Sequence, residues 1–256
     1  MVYQFSLPPL MLHAIHSGSG LALRQWTSAL EPGNGGTTFF NFLTSHDGIR
    51  LNPARCILSE VEIVALQGAL VSYKNNPDGT TSPYEINVTN LDVLNRQQDS
   101  DDMRLRRFLL TYAIPGVPTI YIQNILGSRN DYEGVKAAGY NRAINWQKFD
   151  LAEIEAVLTQ GDSLRHAIYT RLSQLIQLRT RQQHAFHPDN PMRLYESDNA
   201  LLVLKRHALQ QDDNGLLCVF NLSGKSVETT LPEAHLFQDT VTRERIDGTQ
   251  PVTLAA

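Results

Sequence analysis

The chain has 256 residues, 42% of them hydrophobic, and a formal net charge of −4. This composition is typical of a packed globular protein with one large domain or two ordinary ones, and it argues against disorder. Because the net charge is negative and the arginines are scattered along the chain, we expect no surface that binds the phosphate backbone of a nucleic acid.

The cysteines and the first residues bear on the compartment. Cys56 and Cys218 lie far apart in apolar surroundings, which predicts reduced core residues and neither a disulfide nor a metal pair. The chain does not begin with the basic segment of a secretory signal, and no apolar run approaches the roughly 18 residues typical of a membrane span. We therefore expect a cytoplasmic protein without a membrane partner.

The most informative stretch is residues 37–48, where an apolar, β-prone run ends in His46, Asp47 and Gly48. A parallel strand buried on both faces reads as such a run, and α/β barrels carry their chemistry at the carboxyl ends of the strands. The position therefore predicts a site. Alternatively, Asp-Gly forms a tight turn in which the aspartate caps its own backbone and His46 stacks on a neighbouring loop. The local sequence leaves both interpretations open.

A helix is predicted next, over residues 58–73. Ser59 and Glu62 have the spacing of a capping box, and apolar residues follow at helical intervals. Residues 74–92 are too rich in turn-forming residues for regular structure, and a loop of this length often carries function.

The chain then alternates again between helix and strand. Residues 99–112 predict a helix whose first acidic residues complement the helix dipole. A proline and a glycine end it, and residues 117–122 predict a second short buried strand. The polar, glycine-punctuated loops at 123–132 and 139–145 follow this strand, so we expect them to form a second wall of the site.

Another amphipathic helix follows, with Asp162 as its predicted cap. Its apolar positions share one face: Leu164, Ile168, Leu172, Leu175 and Ile176. Its arginines are predicted to be solvated: Arg165, Arg171, Arg179 and Arg181. From about residue 190 onward, short strand-like segments separated by turns predict a small β-rich unit. Because it has no cluster of carboxylates and histidines suited to catalysis, we expect a structural or sugar-contacting role.

Several large function classes are excluded, since the sequence has no Walker loop, Gly-x-Gly-x-x-Gly fingerprint, zinc-spaced Cys/His set or Gly-x-Ser-x-Gly elbow. Instead, five segments spread over nearly the whole chain carry a recognisable pattern: 42–49, 83–92, 115–121, 126–131 and 141–145. Taken together, and in this order, they resemble the α-amylase clan, glycoside hydrolase family 13. The resemblance is greatest to its sucrose phosphorylase branch, and especially to glucosylglycerate and related phosphorylases.

The resemblance implies roles for the His-Asp pair. In this family a (β/α)8 barrel carries three acidic residues, and His46-Asp47 matches the pair after the seventh strand. Asp47 would be the transition-state stabiliser, and His46 would bind substrate beside it. As the sugar flattens toward an oxocarbenium ion, hydrogen bonds between a fixed carboxylate and the sugar hydroxyls can strengthen selectively.

Two more substrate-binding residues follow from the resemblance. Asp92 lies where the family has a mobile active-site loop that contacts donor or acceptor. Arg142 lies where an arginine helps to bind phosphate or the acceptor sugar, a task that suits the fork of a guanidinium. The alternatives, a loop cap for Asp92 and a surface ion pair for Arg142, stay open.

The resemblance also implies an incomplete fold. We expect an α/β chain that forms the C-terminal part of a (β/α)8 TIM barrel, about strands six to eight, over residues 1–189. A small all-β domain would follow at 190–256.

A retaining mechanism needs a nucleophile and a general acid/base roughly 5 Å apart. In the family, this aspartate and this glutamate lie on earlier strands, and no remaining acid of this chain follows a buried strand in a suitable motif. We therefore expect the isolated chain to be inactive. Because its strand edges and apolar faces would be exposed, we also expect it to self-associate.

The complete enzyme implied by the resemblance transfers glucosyl from an α-glucoside to inorganic phosphate through a covalent glucosyl intermediate. The product is glucose 1-phosphate. Phosphate is then a co-substrate, and neither a metal nor an organic cofactor is expected. Two alternatives stay open: a hydrolase or transglucosidase of the same clan, and a non-catalytic or sugar-binding remnant. The sequence does not choose among sucrose, glucosylglycerate and related donors.

Overall fold

The computed structural model describes residues 1–30, 36–69, 84–94, 114–208 and 215–255. The α-helices of these ranges are α1 (Leu7–Ser17), α2 (Leu21–Ser28), α3 (Glu60–Ala69), α4 (Asn90–Val93), α5 (Ile122–Ile125), α6 (Tyr132–Ala138), α7 (Leu151–Thr159), α8 (Leu164–Arg181) and α9 (Gln183–Phe186). Short 3₁₀ helices occupy Asn52–Ala54 and Asn141–Asn145. The strands are β1 (Val2–Tyr3), β2 (Phe39–Asn41), β3 (Ile49–Arg50), β4 (Glu85–Ile86), β5 (Val117–Pro118), β6 (Met192–Leu194), β7 (Leu201–Arg206), β8 (Leu216–Asn221), β9 (Val227–Thr229), β10 (Leu236–Gln238), β11 (Arg245–Asp247) and β12 (Val252–Leu254).

A parallel sheet with the strand order β1-β2-β5 lies before the site. Val2 pairs with Phe39, and Phe40 pairs with Val117. The strands predicted within residues 37–48 and 117–122 are both present but shorter, since β2 covers only Phe39–Asn41 and β5 only Val117–Pro118. The prediction that they are buried is wrong, because Phe39 and Phe40 are half-buried and Val117 is exposed. The chain therefore has the mixed α/β character that the sequence predicts. In the described residues the parallel sheet does not close into a barrel.

The core runs from the first helix to the β-rich part of the chain. Its buried members include Leu10 and Ile15 of α1, Ile63 of α3, and Leu202 and Leu204 of β7. Helix α1 tolerates two prolines in its first turn because those backbone N–H groups have no partner within a helix. The β7 side chains thus complete the same apolar core as the early helices.

Helix α3 confirms the predicted capping box. The backbone N–H of Ser59 donates to Glu62 Oε2 at 2.8 Å, and the N–H of Glu62 donates to Ser59 Oγ at 3.3 Å. The described helix covers Glu60–Ala69, while the last residues of the prediction lie outside the described ranges. The predicted helix at 99–112 also lies outside them.

The irregular loop predicted at 74–92 needs correction in its described part. Glu85–Ile86 is a strand, in which Ile86 pairs with Ile49 of β3, and α4 begins at Asn90. Pairing across the chain therefore orders a stretch whose residues, taken alone, favour turns.

The cap predicted for α8 is off by one residue. Ser163, not Asp162, is the N-cap, and its side chain accepts from the backbone N–H of His166. The predicted apolar face is buried at Ile168 and Leu172.

The arginines of α8 divide into two groups. Arg171 and Arg181 are exposed, as predicted. Arg165 instead donates from Nη1 to Leu126 O at 2.6 Å, and Arg179 donates from Nη2 to Gly116 O at 2.8 Å. The second pair therefore fixes the loop backbone against the helix, because each guanidinium donates a hydrogen bond to a backbone carbonyl outside α8.

The last third of the chain is β-rich, in line with its composition. Strands β6, β7 and β8 form an antiparallel sheet, and β9 pairs with β12 and β10 with β11. The division of the chain at 189/190 into two domains stays a prediction.

The two cysteines differ in their exposure, and only one of them agrees with the prediction of a core residue. Cys56 is exposed, contrary to the prediction, because it lies in a turn while Ala54 and Leu58 take the buried positions beside it. Cys218 packs partly buried against the core, and burial raises the pKa of its thiol to about 12. Both are free thiols. Within the described ranges, no helix combines the length and apolar character that a membrane crossing requires.

Candidate functional site

The carboxyl end of β2 is fixed to the neighbouring strand by buried polar side chains. Asn41 is fully buried and donates from Nδ2 to Pro115 O at 2.7 Å. Thr44 donates to Asn124 Oδ1 at 3.0 Å, just beyond β5. Because both contacts are inaccessible to water, they hold residues 42–48 at a defined place over the end of the parallel sheet.

Asp47 and Gly48 form a tight turn. Ser45 and Gly48 make a β-bridge, and Ser45 Oγ accepts from the backbone N–H of Asp47 at 3.1 Å. Gly48 has φ +81°, and a Cβ there would lie 2.5 Å from Ile86 O, so only glycine fits. Ser45 therefore caps the turn. The carboxylate of Asp47 does not cap the turn and instead contacts Arg142.

Arg142 joins two carboxylates in this site. Its Nη1 lies 2.8 Å from Asp47 Oδ1, and its Nη2 lies 3.2 Å from Glu85 Oε2. The side chain of Glu85 is 8% exposed, that of Asp47 29% and that of Arg142 37%. The hydrogen bond with Glu85, together with the charges of both carboxylates, raises the pKa of Arg142 above its ordinary value. The two carboxylates therefore favour the charged form that a guanidinium already has at neutral pH.

Glu85 is a member of the site that the sequence reasoning did not single out. Strand β4 holds it against β3, and Asn87 Nδ2 donates to its Oε1 at 3.3 Å. No local signal marks it, because the turn-rich residues 74–92 favour an exposed loop, whereas the structure buries this carboxylate and supplies it with a cationic partner. The sequence does not say which of its many arginines supplies that partner.

His46 lies at the exposed rim. Its side chain is 63% exposed, and Nε2 lies 3.5 Å from Asp47 Oδ1. Its carbonyl oxygen accepts a hydrogen bond from Trp146 Nε1 at 2.9 Å. The structure thus brings together three of the predicted residues, His46, Asp47 and Arg142.

Asp92 has a different set of partners. Its Oδ1 lies 2.6 Å from Arg129 Nε, and its Oδ2 accepts from the backbone N–H of Asn130 at 2.7 Å. Thr89 Oγ1 donates to the same Oδ2 at 3.4 Å. The carboxylate therefore links α4 to the loop before α6, and its predicted contact with substrate stays a prediction.

The cluster offers hydrogen-bond donors and acceptors at a partly open surface. Carboxylates can accept from hydroxyl groups, and the guanidinium can donate to oxyanions. No group of three or more His, Cys, Asp or Glu side chains in the described part of the chain could hold a metal ion.

No family model matches the chain. Similarity to individual proteins is clear, however. The glucosylglycerate phosphorylase of Escherichia coli K12 is 49% identical over 245 residues, which cover 92% of this chain and 43% of that protein. The glucosylglycerate phosphorylase of Spirochaeta thermophila is 34% identical over 257 residues, covering 93% of this chain and 43% of that protein.

A solved structure extends the likeness to the fold. The sucrose 6F-phosphate phosphorylase of Thermoanaerobacter thermosaccharolyticum aligns with 99% of this chain and 47% of its own, with 23% identity and a TM-score of 0.63. The chain belongs to the α-amylase clan, glycoside hydrolase family 13, in the branch of the glucosylglycerate and sucrose phosphorylases. It spans 43% of the length of the glucosylglycerate phosphorylases from Escherichia coli and Spirochaeta thermophila.

Proposed function

We propose that this chain is the C-terminal part of a retaining glycoside phosphorylase. The complete enzyme transfers glucosyl from an α-glucoside of the sucrose or glucosylglycerate type to inorganic phosphate and releases glucose 1-phosphate. The observation that carries the proposal is the contact of Arg142 with Asp47 and Glu85 beyond the ends of a parallel sheet. The scheme needs phosphate as co-substrate and neither a metal nor an organic cofactor.

In this proposal Asp47 stabilises the transition state. Its Oδ1 already accepts from Arg142, and 29% of its side chain is open to a ligand. As positive charge develops on the sugar ring, the fixed carboxylate interacts more strongly with it than with the ground state. His46, which lies against the same carboxylate oxygen, binds a sugar hydroxyl.

Arg142 is proposed to bind phosphate. Phosphate has oxygens that can accept parallel hydrogen bonds from one guanidinium, and charge-assisted bonds of this kind are among the stronger ones. The contacts with Glu85 and Asp47 set the direction of the guanidinium before phosphate arrives. Asp92, through the loop that it links to Asn130, is proposed to contact donor or acceptor.

The arrangement of aromatic side chains supports a barrel fragment over residues 1–189. Tyr3, Phe5, Phe40 and Phe42 form one cluster in which Tyr3 and Phe42 each contact the other three rings, with centroid distances from 4.8 Å between Tyr3 and Phe40 to 6.3 Å between Phe40 and Phe42. Tyr3 and Phe5 are 58% and 44% exposed. Barrel interiors are filled by side chains from every strand, so strands six to eight alone would leave such a cluster open. Residues 190–256 are proposed as the C-terminal β-rich domain.

The nucleophile and the general acid/base are proposed to lie on barrel strands outside these 256 residues. In the described site, Asp47 and Glu85 share one guanidinium, and neither takes those roles in the scheme. The isolated chain is therefore expected to be inactive.

The test is complementation. This chain is produced alone and together with the part of the Escherichia coli glucosylglycerate phosphorylase that lies outside the matched region. Glucose 1-phosphate is measured with glucosylglycerate and phosphate. We expect product only from the combined chains and its loss on Asp47→Asn.

The control separates phosphorolysis from hydrolysis. Arg142→Ala should reduce glucose 1-phosphate formation far more than glucose release in water. Equal loss of both would favour a hydrolase or transglucosidase, and no product from any combination would favour a non-catalytic remnant. Product from the chain alone would contradict its expected inactivity.

A further inference from the structure

An exposed aromatic pair lies beside the ionic cluster. Trp146 is 38% exposed and Tyr140 is 42% exposed. Their rings meet edge to face, with centroids 5.3 Å apart and planes inclined by 70°. The indole is also anchored, because its Nε1 donates to His46 O at 2.9 Å. Tyr140 and Trp146 therefore extend the exposed edge of the candidate site that His46 and Asp47 begin.

The same short element carries the pair and Arg142. Tyr140 and Trp146 flank the 3₁₀ helix Asn141–Asn145, which contains Arg142. The helix is held in place because Ile144 O accepts from the backbone N–H of Asp131 at 3.1 Å. The positions of Arg142, Tyr140 and Trp146 relative to one another are therefore set by this short helix.

The chemistry of this rim fits a pyranose. An aromatic ring has a negative face that attracts polarised C–H groups, and a large exposed ring beside directed polar groups is typical of a ligand site. A glucopyranose has C–H groups on its faces and hydroxyls around its edge. Asp47 and His46 can accept from such hydroxyls, and Arg142 can donate to them. An apolar partner surface would instead remove the water from the exposed sides of Asp47 and Arg142 without replacing its hydrogen bonds, at an energetic cost.

We propose that Trp146 and Tyr140 form a platform that stacks on a glucopyranosyl unit whose hydroxyls contact the Asp47–Arg142 pair. The inference rests on the proposed function and deepens it, because it assigns specificity-determining contacts to residues outside the ionic cluster. Trp146 supplies the larger stacking face, and the contact with the inclined ring of Tyr140 limits the tilt of the indole.

The chain offers a direct optical test, because it contains only two tryptophans. Trp26 packs partly buried against the hydrophobic core on α2, and Trp146 is the other. Trp26→Phe leaves Trp146 as the sole tryptophan, and Trp146→Phe is the matched control. Both variants are first compared with the unmodified chain by circular dichroism and thermal unfolding.

Methyl α-glucoside, which has no phosphate, is titrated while tryptophan emission is recorded. We expect a saturable change in Trp26→Phe and none in Trp146→Phe. By calorimetry, Trp146→Ala should weaken glucoside binding about tenfold, the loss of one favourable aromatic contact. Trp146→Phe should retain most of the affinity, since a smaller ring still stacks.

Two results would overturn the platform. The first is that calorimetry detects glucoside binding, but the emission of Trp146 in Trp26→Phe does not change and Trp146→Ala binds the glucoside as tightly as the unmodified chain. The second is no saturable binding of the glucoside by the unmodified chain. The proposed function is tested separately with glucose 1-phosphate. If Arg142→Ala weakens binding of the phosphorylated and unphosphorylated sugars equally, the phosphate role fails while the platform stands.

Discussion

Arg142 and Asp47, separated by 95 positions in the chain, form an ion pair with 2.8 Å between Nη1 and Oδ1. The pair connects the turn after β2 with a 3₁₀ helix that follows β5. Since Arg142 also reaches Glu85 on β4, one side chain connects all three chain segments of the candidate site.

Removing Arg142 should destabilise the chain through Glu85. The side chain of Glu85 is only 8% exposed, so Arg142→Ala leaves a buried carboxylate without a cation. Because the guanidinium itself is partly exposed, we expect a loss of about 1 to 2 kcal/mol in the free energy of unfolding, below that of fully buried pairs. Urea denaturation measures it. Adding Glu85→Gln should recover part of the loss, whereas a double variant with strictly additive losses would contradict the coupling.

Gly48→Ala should disturb both the turn and β4. The left-handed backbone at φ +81° disfavours alanine, and its Cβ would lie 2.5 Å from Ile86 O. We expect a loss of about 2 kcal/mol or more from strain and displacement together. Gly161→Ala is the matched control, because a Cβ there meets nothing within 4 Å. Its unfolding midpoint should hardly move, and similar midpoints for both variants would refute the steric reading.

Stability should depend on pH through Glu233. Lys205 Nζ lies 2.7 Å from its Oε2, and Tyr195 Oη donates to its Oε1. Burial alone would raise the pKa of Glu233, but the hydrogen bonds from Lys205 and Tyr195 outweigh it and hold the pKa below the ordinary 4.5. A lowered folded pKa stabilises the fold above pH 4.5, and this contribution is lost as the pH falls through the folded pKa.

The check is thermal unfolding between neutral and acidic pH. At pH 7, Glu233→Gln should be less stable by about 2 kcal/mol, the value of a hydrogen bond to a charged group. Its stability should also fall less steeply below pH 4.5. Parallel pH curves for the variant and the unmodified chain would exclude Glu233 as the source.

Self-association should depend on the aromatic cluster. Tyr3 on β1 and Phe5 just after this strand are exposed, and exposed aromatic area next to open strand edges favours association. Sedimentation of the unmodified chain should show oligomers, and the double change Tyr3→Ser and Phe5→Ser should lower the average mass. Val61→Ser on α3, where the valine is 78% exposed, is the control and should leave the mass unchanged. A strictly monomeric unmodified chain would contradict the prediction.

Local patterns carried the correct parts of the sequence interpretation. Ser59 and Glu62 are three positions apart, and a capping box needs only that spacing. The apolar run before His46 likewise predicts a strand that is followed by polar residues, and β2 is that strand, although Phe39 and Phe40 are only half-buried. The motif resemblance placed the chain in its family because whole segments, with their order, were available for comparison.

Errors arose where burial or pairing depends on distant segments. Cys56 has apolar neighbours in sequence, yet the turn exposes it. Arg165 and Arg179 look solvated by helical periodicity, but loop carbonyls from Leu126 and Gly116 meet them. The sequence of α8 does not predict these hydrogen bonds, because their acceptors lie in distant loops.

The amino-acid sequence by itself determined the mixed α/β character, the family and the position of His46-Asp47 at the end of a strand. Only the tertiary structure decided that Glu85 joins Arg142 and Asp47, that Asp92 binds Arg129 instead, and that Trp146 lies at the rim. The physical reason is range. Periodicity, caps and motifs act over a few residues, whereas the partner of a buried charge is chosen by which distant segments the folded core brings within hydrogen-bonding distance.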